Sequence, residues 1–115
     1  MSFLAEYGRI KSVVRSAVNT QDIYLFAPAD TEPGFPYIII TPLNSYDDTL
    51  NSRRREWAIT LNSKPDASVY TTYADGIQSA IQKNLTQRGE VQYDFELKQE
   101  SIEAERFVAQ WVVVI

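Results

Sequence analysis

Residues 106–115 read RFVAQWVVVI, and this stretch decides how the rest of the sequence is interpreted. Apolar side chains fill both alternating sets of positions, and after Arg106 only Gln110 is polar. β-Branched and aromatic residues in such a run favour a strand. A strand that is apolar on both faces is typical of a sheet covered on both sides. We therefore expect a strand here with two buried faces.

Other strands follow from the same reasoning. Residues 37–41, YIIIT, are also apolar on both faces, whereas residues 54–62, RREWAITLN, alternate between apolar and polar positions. Further strands are predicted at residues 23–26 and 90–98. Polar segments, two of them with proline, predict loops at residues 27–35, 44–52 and 63–68, and a turn at 101–105.

Two helices are predicted from apolar spacings of three and four residues. The first spans residues 2–18, with Leu4 at the edge of its apolar stripe and Glu6 on a solvated face. The second spans residues 67–85, with Asp66 or Ser68 as its cap and Gly89 as its stop. Gly76 lies inside the second helix, where we expect close packing against the sheet.

The predicted order of elements is α-β-β-β-α-β-β within a single domain of residues 1–115. This order indicates an α+β fold, with one antiparallel or mixed β-sheet and two helices packed on one face. The opposite face of the sheet would then be uncovered, although two strands are apolar on both faces. Either the sheet curls on itself or another subunit packs there.

Composition excludes several classes of function. The chain has no Cys and no His, which rules out disulfides, Cys/His zinc sites and Ser-His or Cys-His catalysis. The acid pairs Asp47 with Asp48 and Asp94 with Glu96 are interpreted as solvated. We expect no enzymatic activity, no catalytic residue, no metal site and no cofactor. No apolar run approaches a membrane span, and we expect assembly in the cytosol.

Charge is unevenly distributed along the sequence. Residues 90–105 hold six acids and one base, a formal charge of −5 against −4 for the whole chain. Glu90, Asp94 and Glu96 would share one strand face, as an acidic surface that repels DNA or docks a basic partner, or simply for solubility. Arg53, Arg54 and Arg55 form a basic run, either a patch that docks an acidic partner or a solvated strand entrance.

The sequence resembles the tail terminator, or tail completion, proteins of tailed bacteriophages over essentially its full length. The resemblance rests on the N-terminal amphipathic helix, on IYLF at residues 23–26 and on FPYIII at residues 35–40. It continues with EWAITL at residues 56–61, the second helix, the acidic hairpin and the last strand.

The resemblance implies a structural virion protein that forms a hexameric ring. Such a ring caps the tail tube, ends its polymerisation and joins the tail to the neck or connector proteins, while DNA passes through the lumen without specific binding. The acidic residues Glu90, Asp94 and Glu96 would line that lumen or a docking face. The implied location is the tail or neck of a virion assembled in the host cytoplasm, without a membrane.

Three other interpretations remain open. The protein could be a different neck or head-tail connector protein of similar size. It could be a small ligand-binding α+β domain or enzyme, which would need a pocket lined by polar groups. It could also bind nucleic acid through Arg53, Arg54, Arg55 and the tyrosines, which would make its DNA affinity dependent on salt.

Overall fold

The computed structural model describes residues 3–26, 34–47, 53–84, 95–102 and 106–114. These residues form two helices and five strands in the order expected from the sequence. The elements are α1 (Phe3–Ala17), β1 (Ile23–Tyr24), β2 (Tyr37–Asp47), β3 (Arg53–Ser63), α2 (Ala67–Asn84), β4 (Phe95–Ile102) and β5 (Phe107–Val114). The predicted α+β class is confirmed.

The strands form one mixed sheet in the order β1-β2-β3-β5-β4. The short strand β1 runs parallel to β2, and the other neighbouring strands are antiparallel. β3 and β5 occupy internal positions of the sheet, and β5 is the strand of residues 106–115 that is apolar on both faces. β4 lies at one edge, with β5 as its described neighbour.

The two helices lie on one face of the sheet, as predicted. We call this the helix-covered face. Alternate residues of three strands meet α1 and α2 there, because side chains of a strand point to opposite faces in turn. The sheet contributes Ile38, Ile40, Trp57, Ile59, Leu61, Ala109, Trp111 and Val113, and the helices contribute Ile10, Val14, Ala74, Ile77 and Ile81.

The start of α2 is held by Asp66, one of the two caps expected from the sequence. Its Oδ1 atom accepts hydrogen bonds from the backbone N–H groups of Ser68 at 3.0 Å and Val69 at 3.1 Å. These are donors that a first helical turn leaves unpaired. The proposed stop at Gly89 lies outside the described residues.

Gly76 packs against α1, and the expectation that it approaches the sheet is wrong. A Cβ atom at this position would lie 3.5 Å from the Ala17 carbonyl oxygen and 3.8 Å from the Ala17 Cβ. These are ordinary van der Waals distances. The C-terminal end of α1 therefore packs against the middle of α2.

Several predicted boundaries are corrected. The loop expected at residues 44–52 begins too early, because β2 continues to Asp47. The turn expected at residues 101–105 also begins too early, since β4 continues to Ile102. The strand at residues 23–26 is only two residues long. Leu4 is 70% exposed and does not belong to the apolar stripe of α1.

Candidate functional site

A buried carboxylate joins α1 to the sheet. Glu6 is only 5% exposed, although the sequence placed it on a solvated face. Its Oε2 atom accepts a hydrogen bond from Arg55 Nη1 at 3.0 Å, and its Oε1 atom accepts one from Trp57 Nε1 at 3.2 Å. Arg55 and Trp57 are two residues apart on β3 and so face the same side. The solvated-face prediction for Glu6 is wrong because both carboxylate oxygens have partners inside the fold.

Aromatic rings enclose this ion pair. The Phe3 ring centroid lies 5.2 Å from the Arg55 guanidinium carbon and 5.1 Å from the Trp57 ring. Tyr7 stacks on Trp57 with ring centroids 6.4 Å apart, and burial raises the pKa of Tyr7. The rings limit the access of water, so that the pair is less screened than a surface salt bridge. We call Glu6, Arg55, Trp57 and Phe3 the anchor.

Beyond the anchor, the described β2–β3 ladder continues past the last described pair of β3 with β5. The last described pair between β3 and β5 is Glu56 with Val114. The β2–β3 ladder continues for three more pairs: Ser45 with Arg55, Tyr46 with Arg54, and Asp47 with Arg53. We call residues 45–47 and 53–55 the arm. A register shift between Pro42 and Ser45 marks its root, and such bulges bend a strand and increase its twist.

The arm contains the basic run, and the structure describes the side-chain contacts of Arg55 within it. The Arg55 side chain is 18% exposed and binds Glu6 within the chain. Arg53 and Arg54 lie further along the arm, opposite Asp47 and Tyr46 in the ladder. The proposed docking role of Arg53, Arg54 and Arg55 stays a prediction, and Arg55 already takes part in an ion pair within the chain.

The acidic residues singled out in the sequence lie at or near the edge strand β4. Glu96 is in β4, opposite Val112 of β5. Glu90 and Asp94 lie outside the described residues, so the acidic face of these three residues stays a prediction. β4 also contains Glu100, opposite Ala109.

The face of the sheet opposite the helices is mixed in character. We call it the outer face, and its central residues are Ile39, Thr41, Ala58, Thr60, Gln110 and Val112. Most of them are partly exposed, although Ala58 is only 2% exposed. Gln110 Nε2 donates a hydrogen bond to Thr60 Oγ1 at 3.1 Å. Among the described elements, both helices pack on the other face, so the outer face has no helical cover.

One buried amide also lies on the outer side of the sheet. Asn62 is 3% exposed, and its Nδ2 atom has no hydrogen-bond partner among the described residues. Nearby, Arg106 Nη1 donates a hydrogen bond to the Tyr37 hydroxyl at 2.8 Å. Phe35 stacks on the Tyr37 ring, with centroids 5.9 Å apart. This end of the outer face is therefore packed by side chains of the chain itself.

Within the described ranges, no three acidic side chains come together as a group that could hold a metal ion. Neither described helix has the length and hydropathy needed to cross a membrane. The features that the described residues bring together are a buried anchor, the arm, the edge strand β4 and the outer face.

The sequence contained one signal for the anchor. Glu6 is three residues after Phe3 and four residues before Ile10, which places it at the border of the apolar stripe. A carboxylate at that border can point into the fold when a cation lies on the facing strand. The cation is Arg55, 49 residues away in sequence, and periodicity within α1 could not identify it.

The fold defines a class of α+β proteins with two helices on one face of a mixed sheet. No protein-family model matches the sequence, and no curated protein matches it. Among solved structures, the chain is similar to a chain of the virion of a native gene transfer agent (GTA) particle. The TM-score is 0.57 at 11% sequence identity, covering 98% of this chain and 96% of that chain. This likeness establishes a shared fold.

Proposed function

We propose that this protein is a structural component of a phage or phage-like virion and acts as a tail terminator. In this function it forms a hexameric ring that caps the tail tube, ends tube polymerisation and joins the tail to the neck proteins. DNA passes through the lumen without specific binding. Its partners are other copies of itself, the tube protein and the neck or connector proteins.

The observation that carries the proposal is the shared fold with a chain of a gene transfer agent virion. The similarity spans almost the whole length of both chains. It agrees with the resemblance of the sequence to phage tail terminators, which rests on separate features of residues 23–26, 35–40 and 56–61.

The surfaces of the molecule support an assembly function. The outer face presents partly exposed Ile39 and Val112 without a helical cover among the described elements. The edge strand β4 borders that face, and the arm continues the β2–β3 ladder beyond Glu56. A ring subunit needs several such surfaces, since it contacts two neighbours, the tube below and the neck above.

The acidic residues would serve the passage of DNA. A surface that contains Glu90, Asp94 and Glu96 repels phosphates and weakens non-specific adhesion of the DNA backbone. If these residues lie on the outer rim of a ring, they do not line the lumen. The alternative that they form a docking face then stands.

Electron microscopy of the purified protein, with light scattering for its mass, tests the proposal. We expect rings with a central hole, either from the protein alone or at the ends of added tail tubes. Tubes polymerised with the protein should stop growing, and tubes polymerised without it are the control. A strict monomer that ignores tail tubes would overturn the proposal.

The same experiment separates the terminator from another connector protein. A connector would form rings or bind neck components while tube growth continued unchanged. Arrest of the tube is thus the result that identifies a terminator.

A further inference from the structure

We propose that copies of this protein join head to tail, with the arm of one copy docked against the acidic edge strand β4 of the next copy. This inference rests on the proposed ring-forming function and names the surfaces that make the ring contact. The molecule that docks against the edge of β4 is therefore a second copy of this chain.

The first argument is the shape of the arm. Its three pairs of residues extend beyond Glu56 and Val114, where the described pairing with β5 ends. The anchor holds the base of this extension through Arg55 and Glu6. Two paired strands that an internal ion pair fixes at one end can present their other end to a neighbouring molecule.

The second argument is complementary charge. The arm contains Arg53 and Arg54, in addition to Arg55 that pairs with Glu6, and its one acid is Asp47. β4 contains Glu96 and Glu100 against a single Lys98, within the segment of formal charge −5. Opposite potentials on two surfaces steer their encounter and fix the register of the contact.

The third argument is the edge position of β4 within the described sheet. Within the described residues, β4 pairs with β5 alone. Such an edge exposes a row of backbone N–H and C=O groups that can accept another strand. On the arm side, Leu43 lies within the bulge at the root and is 48% exposed. A contact between arm and edge would therefore combine backbone pairing, apolar burial and charge.

The fourth argument is symmetry. The arm belongs to β2 and β3, whereas the acidic edge belongs to β4, and β5 lies between β3 and β4. Each copy can use its arm for one neighbour and its β4 edge for the other. Contacts between two different surfaces are heterologous, and they generate a closed ring when the rotation between copies closes.

Two charge-reversed variants test this inference. The first, Arg53→Glu with Arg54→Glu, makes the arm acidic, and the second, Glu96→Lys with Glu100→Lys, makes the edge basic. Each variant alone would face like charges across every contact. We expect each to need at least about a tenfold higher concentration for half-assembly than the wild-type chain, because juxtaposed like charges oppose association.

An equimolar mixture of the two variants is the decisive sample. The acidic arm of the first variant meets the basic edge of the second, and the basic arm of the second meets the acidic edge of the first. We expect rings to return, with the two variants alternating, and native mass spectrometry to show equal numbers of each. Recovery in the mixture also demonstrates that both variants fold.

The matched control is Arg15→Glu with Lys83→Glu. Both residues are exposed in the last turns of α1 and α2, and the double variant has the same change in net charge as the reversed arm. It should form rings like the wild-type chain. If this control lost ring assembly as much as the reversed-arm variant does, net charge alone, rather than the arm, would govern assembly.

The outcomes distinguish this inference from the proposed function. If the wild-type chain forms rings and both reversed variants also form them unchanged, the arm-to-edge contact is wrong and the ring function stands. A mixture that fails to assemble while each variant is folded by circular dichroism would likewise overturn the contact. If the wild-type chain forms no ring with or without tail tubes, the proposed function itself fails.

Discussion

Adjacent residues of β5 show how different the two faces of the sheet are. Trp111 is 1% exposed and belongs to the core beneath the helices, whereas Val112 lies on the outer face and is partly exposed. β3 shows the same contrast in exposure. Trp57, Ile59 and Leu61 are fully buried, whereas Thr60 is partly exposed on the outer face. The helix-covered face is thus fully buried and includes both tryptophans, whereas most central residues of the outer face are partly exposed.

This difference separates folding from assembly. The helix-covered face buries two tryptophans and several aliphatic residues against α1 and α2, and burial of such surface is the dominant favourable term in folding. The outer face contributes little to that core, so its sequence is free to serve contacts with other molecules. Substitutions on the two faces should therefore have different consequences, which three experiments can measure.

The largest effect is expected from Trp111→Ala. Removal of this buried ring leaves a cavity between β5 and the helices, and the free energy of unfolding should fall by about 3–5 kcal/mol. Urea denaturation followed by circular dichroism measures the loss. A near-neutral result would show that β5 is not a central strand of the core.

Trp111→Phe is the matched control for this substitution. The indole Nε1 of Trp111 has no hydrogen-bond partner among the described residues. The smaller ring gives up part of the packing and no described hydrogen bond, so the cost should be about 1.5 kcal/mol. A loss as large as that of the alanine variant would indicate a partner for the indole nitrogen.

The next effect concerns the anchor at the border of the helix-covered face. Glu6→Ala leaves the Arg55 guanidinium and the Trp57 N–H without their acceptor, and the free energy of unfolding should fall by about 2–3 kcal/mol. The value lies below that of a fully buried pair because the Arg55 side chain is 18% exposed. Thermal or urea denaturation gives the measurement.

A double-mutant cycle with Arg55→Met tests whether the two residues act as a pair. The double variant should lose about 1–2 kcal/mol less than the sum of the single losses, because either single change already breaks the ion pair. Lys11→Met is the control because it also replaces a cation by methionine. The Lys11 ammonium lies 5.8 Å from the centroid of the Tyr7 ring. It should change stability by less than about 0.5 kcal/mol. Strict additivity for Glu6 and Arg55 would contradict the anchor.

Much of the fold could be predicted because its signals are local. Apolar residues at helical spacing gave α1 and α2, and the alternation around Trp57 gave β3, each end within one residue of the observed element. The continuation of β2 to Asp47 was missed for a physical reason. Residues 44–47 are polar and become a strand by pairing with the basic run of β3, which no local pattern reveals.

The candidate surfaces were predicted less completely than the fold. Composition identified the basic run and the acidic segment, since charge is visible without a structure. The ion pair of Arg55 depends on a tertiary contact, because Glu6 lies on a distant helix. The arm depends on the register of the described β2–β3 and β3–β5 ladders. Such relations between elements are not encoded in the spacing of any single element.

The smallest effect is expected on the outer face itself. Val112→Thr and Val113→Thr are the same substitution on neighbouring residues of β5, and Val113 is fully buried on the helix-covered face. A hydroxyl at Val113 enters the core and should cost about 1–3 kcal/mol. The hydroxyl at Val112 can contact water, and its cost in the free chain should stay below about 0.5 kcal/mol.

Urea denaturation of both variants, with light scattering of their assemblies, makes the comparison of the two faces quantitative. If Val112→Thr leaves the free chain stable but weakens rings, another molecule covers the outer face on assembly. If it leaves both unchanged, the outer face stays in contact with water in the ring. Equal losses of stability at the two positions would contradict the difference between the faces, since they would mean that the sheet curls and buries its outer side within a single chain.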